Sequence, residues 1–133
     1  GHDITSENNP FESGLSFAIS FKKNENFIGR KALEELKNKP IKNKLELFSL
    51  KYNFKPGVPL LLHDEPIFYH DKIVGYTTSS NFSFCYKKNI CLAYINSEIR
   101  DSKGLNLEVE GKKYALNLEK QPLHDPRSKL MRS

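Results

Sequence analysis

The sequence predicts a mainly β fold. It is a small antiparallel barrel of Greek-key type, or a sandwich, preceded by a strand and one amphipathic α-helix. Three observations predict it. Apolar residues recur with a period of two through most of residues 41–119. Turn-forming residues break that run into six or seven short strands, with no helix between them. Before residue 40 the pattern is different, with one stretch of helical spacing that ends at Pro40. Closing the strands into a barrel would leave no exposed sheet edge.

Residues 1–14 predict irregular chain, because Asp3, Ser6, Asn8, Asn9, Pro10 and Gly14 are turn formers. Leu15, Phe17, Ile19 and Phe21 then alternate with small residues, which predicts a strand. Asn26 is the expected N-cap of a helix of about three turns. Ile28, Ala32, Leu33 and Leu36 form its apolar stripe. Leu45 and Leu47 alternate with Glu46 and Phe48 in the first barrel strand. His70 and Asp71 are expected to turn a hairpin between Glu65–Tyr69 and Ile73–Thr78. Ile90–Ile95 is a further strand. The clearest hairpin sets Leu105, Leu107 and Val109 against Tyr114, Leu116 and Leu118, across Glu110, Gly111 and Lys112. The tail, 120–133, carries two prolines and is expected to run as an extended strap.

Composition excludes some functions. The chain has 133 residues and a net charge of +5, which fits one domain or one domain with a flanking piece. No stretch approaches the roughly 20 apolar residues of a membrane span. No apolar run follows a basic start, so a cytoplasmic, reducing setting is expected, with Cys85 and Cys91, both in strand-like apolar runs, as buried, inert thiols. The first residue is Gly1 and not Met, which is expected of a processed or cut product lacking its other half. His63, His70 and His124 each precede an Asp, but no spacing gathers a metal-ligand set, so no metal site is expected. No nucleophile elbow, P-loop or dinucleotide fingerprint occurs. Phe82, Phe84, Tyr86, Lys87 and Lys88 mix aromatics with cations. That pattern suits an oligonucleotide-binding barrel, and equally a strand that is half core and half surface. A purely structural barrel is the other alternative. Asp3, Glu7 and Glu12 crowd the turn-rich start. A carboxylate there can accept two parallel hydrogen bonds from a planar N–H pair.

Several short motifs resemble, in order, one family. Gly1-His2-Asp3-Ile4, Glu7, Asn9-Pro10-Phe11-Glu12 and Gly14-Leu15 resemble the end of the folate-binding core in the glycine cleavage T-protein family. Phe27-Ile28-Gly29-Arg30 and Ala32-Leu33 continue the match. Glu65-Pro66-Ile67, Val74-Gly75, Thr77-Thr78-Ser79 and Leu92-Ala93-Tyr94 look like that family's C-terminal barrel. Asn81-Phe82-Ser83-Phe84 and Pro122-Leu123-His124-Asp125-Pro126 look more like dimethylglycine or sarcosine dehydrogenases, flavoproteins with a T-protein-like half.

The resemblance implies a division at residue 40. Residues 1–40 would be the end of the folate-binding core and 41–133 the barrel and tail. It implies one-carbon transfer to tetrahydrofolate in the intact protein, with FAD in a missing N-terminal half if the flavin branch applies. The family's catalytic aspartate lies upstream, so no catalytic residue is assigned and the segment alone is expected to be inactive. Glu7 matches the acid that binds the pterin. Lys22 and Lys23 lie where family members carry basic residues that could meet folate's glutamate tail, and Lys23 is the one chosen. Glu12 is expected to anchor the loop through backbone hydrogen bonds. Gly14 is expected to permit a close backbone approach, and Arg30 to pair with an acid of another domain. The implied partners are the missing N-terminal domains, folate, and a second copy of the fragment through an exposed apolar patch.

Overall fold

The computed structural model describes residues 1–23, 26–51 and 55–132. Six antiparallel strands close into a barrel: β1 (Asn43–Leu50), β2 (Pro66–Tyr69), β3 (Lys72–Ser83), β4 (Lys88–Asn96), β5 (Leu105–Val109) and β6 (Lys112–Glu119). Around the barrel the order is β1, β4, β3, β2, β5, β6, with β6 pairing back onto β1. Strands β2, β3 and β4 form a meander, and β1 reaches its place beside β4 through the long 51–65 connection. That is a Greek key. A helix, α1 (Arg30–Lys37), precedes the barrel.

The turns work because their residues accept left-handed backbone. His70 and Asp71 have φ of 45° and 64°, and Glu110 and Gly111 have φ of 49° and 73°. Both two-residue connections therefore twist with their strands, as primed turns do. Alternation then fills the core. Asn89, Cys91, Ala93 and Ile95 point inward from β4, and Leu105, Leu107 and Val109 from β5. Phe48, Leu50, Ile67, Leu107 and Leu116 have no exposed surface at all.

Strand β3 crosses β4 closely. A Cβ added at Gly75 would lie 2.0 Å from the Tyr94 carbonyl oxygen, so only glycine fits there. The register slips between Thr77 and Ser79. This bulge gives Thr78 no ladder partner and directs it outward.

Two expectations fail before the barrel. The strand expected over Leu15–Phe21 is instead a short 3-10 turn at Ser16–Ala18, with Phe17 84% exposed. The barrel is closed, so no edge exists for that segment to pair with. The helix starts three residues later than its expected first turn and is shorter, at 8 residues. Its N-cap is Gly29 and not Asn26, because the chain turns at Ile28 and Gly29, with Gly29 at φ 88°. Of the expected stripe only Leu33 and Leu36 are even half-buried, and Ile28 is fully exposed.

Candidate functional site

The first fourteen residues lie on the outside of the barrel, held at three points. The Thr78 hydroxyl, freed by the bulge, donates a 2.6 Å hydrogen bond to the Asp3 carboxylate. Leu45 N–H donates to the Glu12 carbonyl at 2.8 Å, extending β1 by one bond. The hydroxyls of Ser13 and Tyr94 lie 2.9 Å apart. Thr78 holds the Asp3 carboxyl below its ordinary value, partly opposed by burial, with smaller help from Ser79 and His2.

Between these anchors the chain makes two consecutive local motifs. Thr5 and Asn8 close a turn, with Asn8 N–H on the Thr5 carbonyl and Thr5 N–H on the Asn8 side chain. Ser6 and Glu7 form its tip. Glu7 is exposed, and its carboxylate accepts no hydrogen bond from any described residue. Next comes a single helical turn. Asn9 Oδ1 caps the N–H groups of Phe11 and Glu12, and Glu12 Oε2 reaches back to Asn9 N–H at 3.4 Å. This is a capping box with Pro10 at the first helical position. Leu15 N–H on the Pro10 carbonyl and Gly14 N–H on Phe11 close it as a Schellman motif. Glu12 thus anchors the loop as expected. Gly14 has another reason than the expected one. No atom lies within 4 Å of where its Cβ would be, and it is its φ of 70° that calls for glycine.

Lys23 lines an open pocket of about 370 Å³ together with Ile19, Phe27 and Leu33. Its ammonium is exposed, while its carbonyl accepts from Arg30 Nη1 at 2.8 Å. Arg30 also donates to the Phe21 carbonyl at 3.0 Å and to Glu34 at 2.9 Å. Within this chain Arg30 thus ties α1 to the backbone of the preceding segment. Lys37 stands over the Phe21 ring, 4.9 Å from its centroid. No hydrogen bond or ion pair joins Glu7 to Lys23.

The motifs that carried the family resemblance meet in the seam beneath these loops. Glu65 accepts from the Thr77 hydroxyl at 2.8 Å and from Leu62 N–H at 2.6 Å. Gly75 underlies Tyr94, and Thr78 holds Asp3. Sequence spacing could name these residues but could not pair Asp3 with Thr78 or Ser13 with Tyr94, whose contacts span the barrel.

Among the described residues no group of three His, Cys, Asp or Glu is placed to hold a metal. His63 bonds its neighbour Asp64 at 2.7 Å and lies against the His2 ring, 5.6 Å between centroids, and the His70 ring packs beneath Gly104. Cys91 is buried, and burial pushes its thiol up to about 12, with Glu65 adding to the shift. Cys85 is exposed on the β3–β4 turn, contrary to the expectation that both thiols are buried. Phe84 is 73% exposed and stacks edge-on against the half-buried Phe82, 5.2 Å between centroids.

Known proteins share both sequence and architecture with this chain. The profile of the glycine cleavage T-protein C-terminal barrel domain matches residues 46–125, more than half of the chain. Dimethylglycine dehydrogenase, mitochondrial, of Homo sapiens is 31% identical over 125 residues, 92% of this chain and 14% of that protein. Aminomethyltransferase of Prochlorococcus marinus (strain NATL1A) is 33% identical over 127 residues, 93% of this chain and 32% of that protein. The chain thus spans about a seventh or a third of the relatives it matches. The crystal structure of glycine cleavage system aminomethyltransferase T from Bartonella henselae superposes with a TM-score of 0.77, covering 94% of this chain and 34% of its own. At 22% identity that likeness establishes the barrel fold. Sequence match and fold agree that the chain belongs to the glycine cleavage T-protein family, as its C-terminal barrel domain.

Proposed function

We propose that this chain is the C-terminal part of a tetrahydrofolate-dependent one-carbon transferase, supplying one wall of the folate site and no catalytic group. The observation that carries this reading is the presentation of Glu7. Its carboxylate stands at the tip of a turn whose two flanks are pinned to the barrel, by Asp3 on Thr78 and by Ser13 on Tyr94. A pinned carboxylate with open lone pairs suits a planar N–H pair such as an aminopyrimidine edge, with little ordering cost on binding. Lys23, exposed beside its pocket, would meet the anionic tail of the same ligand.

The upstream domains are the proposed partner. Helix α1 buries none of its residues, and eight residues are too few for a stable helix in water by themselves. Phe17, Phe27 and Ile28 present apolar surface beside it. A covering domain of the same polypeptide would bury that surface, and in its absence two copies of the fragment would pair through it. If the parent follows the dimethylglycine dehydrogenase pattern, FAD belongs to its N-terminal half.

The test is tetrahydrofolate binding by the parent polypeptide with Glu7→Gln. Gln keeps the shape but offers one acceptor oxygen where the carboxylate offers two. The expected result is a Kd raised about tenfold or more, with an unchanged melting temperature. An unchanged Kd would sink the assignment of Glu7 and favour a purely structural barrel.

A further inference from the structure

A second cleft, of about 570 Å³, opens between the Asn9–Gly14 turn, the linker that follows α1, and the loop after β4. Its lining is mixed, with Phe11, Ile41 and Leu45 as the apolar part. Five charged side chains line it. Two are carboxylates, and both are engaged: Glu12 turns back onto Asn9 N–H at 3.4 Å, and Glu46 pairs with Lys44 at 2.7 Å. The two cations left over, Lys39 and Arg100, are exposed, and neither has an acidic partner among the described residues. They come from separate elements, the linker and the β4–β5 loop, and face one space.

We infer that this cleft is a binding site for a small oligoanion, a molecule with two or more carboxylate or phosphate groups on a short apolar stem. Arg100 offers a planar fork of donors, matched to an oxyanion's two oxygens. Lys39 adds a second positive charge at a different angle, which favours a ligand with two anionic groups over a single ion. Phe11, Ile41 and Leu45 take the carbon chain between them. Gly14 at the rim leaves the mouth open, with no atom within 4 Å of its missing Cβ. Glu12, which lines the cleft, is five residues from Glu7 and so at most about 18 Å from it along the chain. If the folate reading holds, Lys23 meets the first carboxylates of the ligand's tail, and the outer residues of an oligoglutamate tail are the source of those held here. A phosphate ester is the other source of the same chemistry.

The experiment is titration of the isotope-labelled 133-residue chain with γ-triglutamate and, separately, with pyrophosphate. Amide shifts are followed by NMR. The expected result is saturable shifts at Gly14, Ser97 and Arg100, weakened by salt, with Arg100→Gln and Lys39→Gln each raising Kd about tenfold. Both side chains are exposed, so both variants should keep the barrel, and dispersed spectra would verify that. Lys113→Gln, on the distant β5–β6 hairpin, is the control and should change nothing. Binding of triglutamate alone assigns a carboxylate tail, and binding of pyrophosphate alone assigns a phosphate source. Absence of saturable shifts with both probes overturns the site, as would equal weakening by Lys113→Gln. Glu7→Gln should leave triglutamate binding unchanged, so failure of the folate reading and failure of this site are told apart.

Discussion

Thr78 and Asp3, seventy-five positions apart, are joined by a 2.6 Å hydrogen bond that exists because β3 carries a bulge. Thr78 is the extra residue between Thr77 and Ser79, left out of the ladder, and its hydroxyl is directed at the N-terminal segment. The bulge thus couples the register of the barrel to the position of the loop that bears Glu7.

Replacing Thr78 with Val removes this donor at nearly constant volume. We expect a loss of about 1 kcal/mol, confined to the segment because the barrel core is untouched. Hydrogen exchange should quicken at the amides of Asn8, Ser13 and Leu45, while those of β4 and β5 stay protected. The same bond predicts an acid response. The Asp3 carboxyl is lowered in the folded state from its ordinary value of 3.8, so its contribution is complete above that value and is lost as pH falls below it. The wild-type segment should therefore loosen below pH 3.8, and Thr78→Val should flatten that pH dependence. A variant with unchanged exchange at all three amides would show that the other two anchors suffice.

Gly75→Ala tests the close crossing of β3 over β4. The new methyl would lie 2.0 Å from a backbone oxygen, which no rotamer can relieve. We expect a loss of about 3 kcal/mol or more, read as a lowered urea midpoint, or outright misfolding. Gly14→Ala meets no atom and strains only one positive φ, so its cost should be near 1 kcal/mol.

The two thiols should separate cleanly. Cys85 is exposed and should react at once with an aromatic disulfide reagent. Cys91 is buried, with its thiol pushed up to about 12, and should not react until the barrel unfolds. One equivalent released in buffer and two in guanidinium is the expected titration. Two equivalents in buffer would mean that β4 opens locally on the timescale of the assay.

The barrel strands were legible because each of their requirements is local. Leu105, Leu107 and Val109 alternate, and Glu110-Gly111 accepts the turn, so the β5–β6 hairpin follows from neighbouring residues alone. The same holds for the turn at His70 and Asp71. The stretch Leu15–Phe21 alternates equally well and still forms no strand, because pairing needs a partner edge, and a closed barrel offers none. Helix α1 shows the same limit from the other side. Its apolar stripe is real, but no described residue covers Ile28, and burial decides how much helix is worth forming.

Residue order alone carries the barrel strands, their turns, the family motifs and the candidate carboxylate Glu7. The contacts those motifs make come from the folded barrel. It showed Gly75 admitting a backbone, Thr78 holding Asp3, Tyr94 meeting Ser13, and Lys39 and Arg100 facing one cleft. The physical reason is range. Periodicity and turn chemistry act between residues a few positions apart, while a latch, a crossing or a cleft depends on register and closure. Those are set by summing weak contacts around the whole barrel.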